Sequence, residues 1–287
     1  MNEPEASLPI KEILEAAEKL PPFPNVVRKV MPLIQNMAPV SEIEAVIMYD
    51  QAITAKVLAM ARSPYYARRR NIGCMRDAIV ALGEQQLLSV ILAACSSRYF
   101  ADESKAYDLK EGELWEHAVA CALMTELVGR RLGWKSSLSA YTAALLHDIG
   151  KTVLSFHVGT YIDSIMAFVR KERMSFVQAE RQVLGIDHQK LGALIARRWH
   201  FPKSVIAAIA YHHCPMEAEE HCDLASLVYI ANRMVSATGI GCGVDGFLQP
   251  NEDKVFTRFG ITARMVEMLL ADFIEVMEET RQFLSAA

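Results

Sequence analysis

Apolar positions along the chain recur mostly at helical spacing. Leu114, Ala118, Cys121, Thr125, Val128 and Leu132 are separated by steps of four, three, four, three and four, which sets them on one face of a helix. Val266, Leu269, Leu270, Phe273, Met277 and Leu284 repeat the pattern near the C-terminus. Ser41 with Glu44 and Ser175 with Gln178 have capping-box spacing and predict helix starts. No long stretch alternates polar and apolar residues. The single Asp-Gly pair, Asp245-Gly246, lies in a Gly-rich loop instead of joining two β-rich runs. The pattern predicts an all-α protein.

Three segments follow from the punctuation. Residues 1–110 read as short helices broken by Pro21-Pro22, Pro24, Pro32, Pro39 and Pro64, ending in a polar connector at 101–112. Residues 111–236 form a second helical set that holds most of the histidines. Residues 237–287 begin as a loose Gly-rich loop and end in the amphipathic helix, which is expected to complete the core or a dimer contact. Apolar runs such as 87–95 fall short of the roughly 20 residues a membrane span needs. The acidic N-terminus lacks the basic start of a signal peptide. A cytoplasmic protein with no membrane contact is the expectation.

Composition narrows the partners. Of 287 residues, 52% are hydrophobic and 22% charged, which supports a packed core and argues against disorder. Lys and Arg number 30 against 34 Asp and Glu, and this balance opposes binding of nucleic acid through its phosphates. One local exception is the run Arg68-Arg69-Arg70, with Arg62 and Arg76 around it and Tyr65-Tyr66 before it, which reads as a solvated loop or a nucleotide-stacking patch. The six cysteines form no C-x-x-C pair and read as small buried hydrophobes. Met265, Met268 and Met277 lie on or beside the terminal helical stripe and belong to a core or an interface.

Candidate chemistry is concentrated in the second segment. His117, His147, His188, His212 and His213 sit there with Asp148, and Glu113 lies one helical turn before His117, on the same face. Adjacent pairs such as His147-Asp148 and His212-His213 suit helix ends or breaks, because neighbours in a regular helix diverge by about 100°. Gly150 supplies such a break. Imidazoles with a bridging carboxylate favour Fe, Mn or Zn, as one ion or two. The alternative is a metal-free cluster whose buried polar atoms pair with one another. His157, His200 and His221 read as ordinary structural residues.

Residues 144–151, ALLHDIGK, resemble the signature of the HD superfamily of metal-dependent phosphohydrolases, in the form found in HD-GYP cyclic-dinucleotide phosphodiesterases. The resemblance orders the candidates: His117 matches the upstream helix histidine, Glu113 the acidic residue one turn before it, His188 the next ligand and His212-His213 the double histidine. Lys151 matches a lysine that contacts the scissile phosphate; read from the residues alone, it is a cation near a helix C-terminus. Two features depart from the pattern. Asn232 stands where the last aspartate ligand belongs, and His212-His213-Cys214-Pro215 lacks the Gly-Tyr-Pro motif.

Those departures point to HDOD domains, the HD-related output domains of bacterial signalling proteins. Residues 20–24 (LPPFP), 49–58 (YDQAITAKVL), 78–83 (AIVALG), 199–202 (WHFP) and 212–215 (HHCP) resemble that family's motifs, with Gln51 where proline is usual. The match spans about 20–235. It implies a helical HD-like bundle and a regulatory, non-catalytic role exercised through a signalling protein partner or a nucleotide-type ligand. The rival expectation is a phosphohydrolase acting on a nucleotide or cyclic dinucleotide. Asn232 removes one negative charge from a ligand set built on His117, His147 and Asp148, so metal affinity should fall.

Overall fold

The computed structural model describes residues 9–62, 72–100, 102–134, 138–246 and 253–284, and every element among them is helical apart from one isolated bridge between Ser104 and Leu109. Four short helices come first, α1 (Ile10–Lys19), α2 (Asn25–Gln35), α3 (Val40–Met48) and α4 (Gln51–Ala61), followed by the long α5 (Met75–Ser96). The second half runs α6 (Glu113–Arg131), α7 (Leu138–Leu146), α8 (Ile149–Glu172), α9 (Phe176–Leu184), α10 (His188–Arg198), α11 (Lys203–Ala210) and α12 (Cys222–Ala237). Helices α13 (Asp253–Arg258) and α14 (Ala263–Leu284) complete it.

The α6 stripe is buried as its spacing predicts. Leu114, Ala118, Cys121, Thr125 and Val128 are all within 2% of full burial. Helix α6 packs against α7, α12 and α14, with Leu269, Phe273 and Met277 of α14 in the core. Met268 lies on the rim instead, where its sulfur meets Arg131. One continuous apolar cluster links Ile13 to Met277. The Ser175–Gln178 capping box forms, but the one expected from Ser41 and Glu44 does not. Helix α3 starts two residues earlier, after Pro39, whose fixed φ is pre-organised for a helix entry, and Glu44 pairs with Arg76.

The apolar run at 87–95 belongs to a longer stretch than its own length suggests. Met75–Tyr99 and Leu138–Glu172 are each long and apolar enough to cross a membrane by length and composition. The first is 67% buried inside the fold and is kinked at Gly83, whose φ of 70° closes the family-like motif at 78–83. The second is two helices interrupted at His147-Asp148.

Two distant proline- and aromatic-rich motifs form a single joint. Phe23 lies 5.2 Å from both Trp199 and Phe201, and Tyr99 lies 4.6 Å from Trp199. The Trp199 indole N–H donates to the Pro21 carbonyl and the Tyr99 hydroxyl to Pro22, so both aromatic polar ends are satisfied. Arg198 donates to Ala17 at the end of α1. This joint ties the N-terminal helices to α10.

Gly150 does not break a helix; the break falls one step earlier, at His147-Asp148, and Gly150 lies in the first turn of α8. Its lack of a side chain lets α8 touch α10, since a Cβ there would collide with the His188 carbonyl and crowd Gly192. Gly150→Ala should therefore lower the unfolding free energy by about 3 kcal/mol, because the clashing atom is backbone and cannot rotate away. Urea denaturation checks this; an unchanged midpoint would mean the two helices separate freely.

Candidate metal centre

Asp148 stands in the turn between α7 and α8, 1% exposed, and four imidazoles face its carboxylate. His147 Nε2 is 3.4 Å and His117 Nε2 3.9 Å from Oδ2; His212 Nε2 is 3.6 Å and His188 Nε2 3.7 Å from Oδ1. His117 comes from α6, His147 from the end of α7, His188 from the start of α10 and His212 from just after α11. His213 completes the group, its Nε2 3.1 Å from His188 Nε2. These residues, with Lys151 and Asn232, are all at most 5% exposed.

Backbone carbonyls fix the ring orientations. His147 Nδ1–H donates to Ala144 and His212 Nδ1–H to Ile209, each carbonyl three residues upstream. Both Nε2 atoms therefore carry lone pairs directed toward Asp148, and both lack a hydrogen-bond partner, as does Asp148 Oδ1. Lone pairs facing a carboxylate repel unless a cation lies between them. His147, Asp148 and His212 have ligand atoms within 4.8 Å of one another, and His188, His212 and His213 form a second such set. Orphaned acceptors of this kind fit a divalent ion, and imidazole with carboxylate suits Fe, Mn or Zn.

His117 differs. A neutral ring carries one N–H, which the Ile240 carbonyl takes at 2.9 Å, so Nε2 is an acceptor. The Asn232 carboxamide meets that Nε2 at 3.1 Å and Cys121 sulfur at 3.5 Å. Burial raises the Cys121 thiol well above its usual value, so it stays protonated and can donate. Asn232 Oδ1 is the atom placed at 3.1 Å, and because an acceptor Nε2 cannot bond an oxygen lone pair, the carboxamide bonds it by turning its NH2 to that position. Asn232 thus removes an anion and also occupies the lone pair of the histidine beside it.

The structure does not bring Glu113 to the centre. Its carboxylate accepts the Lys110 backbone N–H, closing the turn that leads into its own helix. Lys151 is reached, but not as a residue at a helix C-terminus: it lies in the first turn of α8, where the dipole disfavours a cation. Two carboxylates hold it, Asp148 at 2.8 Å and Asp245 at 2.7 Å. Burial works against its charge, but the two aspartates outweigh burial and raise its pKa. Burial likewise opposes the charge on Asp148, while the Lys151 ammonium 2.8 Å away holds its carboxyl well below the usual range. His157, His200 and His221 lie in other contacts, and residues 68–70 fall outside the described residues.

Several residues of the centre escape sequence reading. Asp245 belongs to the Gly-rich loop, which is a strap: Ile240 accepts from His117, Val244 N–H donates to Tyr107, and Asp245 meets Lys151. Side chains at Gly241 or Gly243 would collide with Glu113 and Tyr107 backbone. The connector at 102–112 likewise folds inward, burying Tyr107, whose hydroxyl donates to Glu180 at 2.5 Å. Glu180 also accepts the His188 backbone N–H and Nδ1–H, the outer-sphere arrangement that orients a ligand histidine. Asp187 caps α10 and places His188 at its first position, while Gln189 accepts the His213 backbone N–H. Glu180 lies eight residues before His188, a spacing that carries no signal because the two sit on different helices.

Known proteins share this chain's sequence pattern and fold. The family model described as HDOD domain matches residues 20–215. Among solved structures, an HDOD domain protein of unknown function from Geobacter sulfurreducens superposes with TM-score 0.75 at 24% identity, covering 96% of this chain and 95% of that one. A Shewanella amazonensis protein provisionally named a phosphohydrolase gives 0.71 at 22% identity, covering 94% and 97%. An uncharacterized protein of Treponema pallidum is 23% identical over 235 residues, which is 78% of this chain and 43% of that protein. Ribonuclease Y of Thermus thermophilus is 33% identical over 104 residues, 36% of this chain and 13% of the enzyme. The chain thus spans less than half the length of these two curated relatives.

Two predictions follow from the charges. Burial lowers the pKa of His117, of His213 and of His212, the last to about 4, from an ordinary 6.5. Below pH 6.5 the unfolded chain therefore binds protons that the folded one refuses, and stability is lost as pH falls toward 4. His188 acts in the opposite sense: burial opposes its charge, but Glu180 raises its pKa, so its contribution is lost as pH rises. Three groups outweigh one. Chelator-treated protein should show a lower urea midpoint at pH 5 than at pH 7, and His212→Gln should flatten the slope. Separately, Lys151→Met should cost about 3–5 kcal/mol in urea denaturation, since it strands two buried carboxylates, and adding Asp245→Leu should restore part of that loss.

Proposed function

The chain belongs to the HDOD family, and on that premise we propose that it is a non-catalytic signalling module that acts by binding a partner, in the cytoplasm. One observation carries the reading: the residues that would hold a metal and a phosphate are closed off, with Asp245 on Lys151, the strap over His117, and His117, His147, Asp148, Lys151, His188, His212, His213 and Asn232 all buried. Asp148 is 1% exposed, and the lysine that would meet a phosphodiester is already neutralised by two carboxylates. Asn232 adds to this by engaging His117. Six free cysteines suit a reducing compartment.

The rival reading, a metal-dependent phosphohydrolase acting on a nucleotide or cyclic dinucleotide, draws support from the orphaned Nε2 atoms of His147 and His212 and from Asp148 Oδ1. His147, Asp148 and His212, with His188 beside them, would hold the ion. Bound there, it would supply an activated water and offset phosphate charge. In the proposed module such an ion has a structural role, holding four helices by a group that each of them contributes.

The deciding experiment is a hydrolysis assay with bis-p-nitrophenyl phosphate and with a cyclic dinucleotide, in the presence of Mn or Fe, paired with elemental analysis. No turnover above buffer is expected. Asn232→Asp should raise the metal content, because it restores an anion next to His117. Turnover that vanishes in His147→Ala would overturn the proposal.

A further inference from the structure

A groove of about 630 Å³ runs along the outer face of α10 and α11, within the range of sites that bury a ligand. Its floor is apolar, with Leu194 40% exposed and Ile206 beside the alanines of both helices. Its rim is cationic: Lys190, Arg197 and Lys203 line it, and no carboxylate does. Among the described residues none of the three is in an ion pair, and the Lys190 ammonium instead rests over the Tyr211 ring at 4.1 Å. The chain as a whole carries a net charge of −4, so three unneutralised cations around one apolar trough are a local feature, separate from the overall balance.

The spacing indicates what fits. Lys190, Leu194 and Arg197 stand at i, i+4 and i+7 on α10 and form one exposed stripe. The two cations are therefore about 10 Å apart along the helix axis, two turns, with the apolar residue between them. A single phosphate would draw its cations to one point. An elongated partner with two anionic groups two turns apart and an apolar anchor between them matches the stripe. A valley between two packed helices with a small-residue floor receives a third helix at normal interaxial distance.

We propose that this groove docks an acidic amphipathic helix of a partner protein, its apolar face on Leu194 and Ile206 and its carboxylates on Lys190, Arg197 and Lys203. The proposal rests on the reading of the chain as a binding module and names the chemistry of the partner. The groove also adjoins the buried centre through the backbone: Lys190 is two residues from His188, and Tyr211 immediately precedes His212.

The test is a selection of 16-residue helical peptides from a display library on the intact protein. Enrichment of sequences with Glu or Asp two turns apart around a Leu or Phe is expected. Affinity should weaken at least about tenfold in Lys190→Glu/Arg197→Glu and in Leu194→Asp, and should fall with added salt. These side chains are at the surface, and an unchanged urea midpoint confirms that the variants fold. Enrichment without acidic bias, equal affinity for the variants, or displacement of the peptide by inorganic phosphate or a cyclic dinucleotide would overturn the proposal. The hydrolysis assay on the same preparations keeps the two claims apart, since peptide binding by a protein that also consumes substrate would sink the non-catalytic reading and leave the groove standing.

Discussion

A carboxylate with almost no exposure to water organises this molecule. An isolated buried anion is costly to desolvate, and Asp148 is tolerated because Lys151 lies at hydrogen-bond distance. The lysine is itself buried, and its excess need for a counter-charge is met by Asp245 from a loop almost a hundred residues away. Helices α6, α7, α8, α10 and α12 and the strap thus converge on one chain of charges. The imidazoles around it come from elements that the apolar core alone would leave free to slide. His117, His147 and His212 are each aimed by a backbone carbonyl and His188 by Glu180, which turns a loose group of histidines into a directed one.

The sequence made the helices and most of the centre legible, for a clear physical reason. Period-3.6 burial on α6 depends on local spacing, and histidines next to a helix break are visible as neighbours in the chain. What stayed hidden is whatever depends on distant segments meeting. Glu180 sits on a helix whose own pattern is unremarked, and nothing local says that it will end under His188. Asp245 reads as one acid in a Gly-rich loop, because its meaning lies in Lys151, to which no spacing connects it. Glu113 misled for the opposite reason: it shares a face with His117, but its carboxylate has a closer use in the Lys110 N–H of the turn that leads into the helix.

The family resemblance also acquires a physical content. The leading LPPFP motif and the later WHFP motif are separated by about 175 residues, yet Phe23, Tyr99, Trp199 and Phe201 form one aromatic joint whose polar ends bond to the proline carbonyls. Each proline disfavours a helical conformation at the residue before it, so residues 21–24 stay non-helical and their carbonyls remain available to Trp199 and Tyr99. Asn232 and Asp245, the two residues that most change the character of the centre, lie beyond the matched span of 20–215.

The contact at Gly150 gives the fold a stiff linkage. With only a hydrogen on that residue, α8 seats its first turn directly against the carbonyl of His188, leaving no side chain between the two backbones to absorb movement. Any displacement of the first turn of α10 therefore meets α8 backbone, not a rotatable side chain, next to Asp148 and Lys151. A single missing methyl group sets how closely the two helices approach.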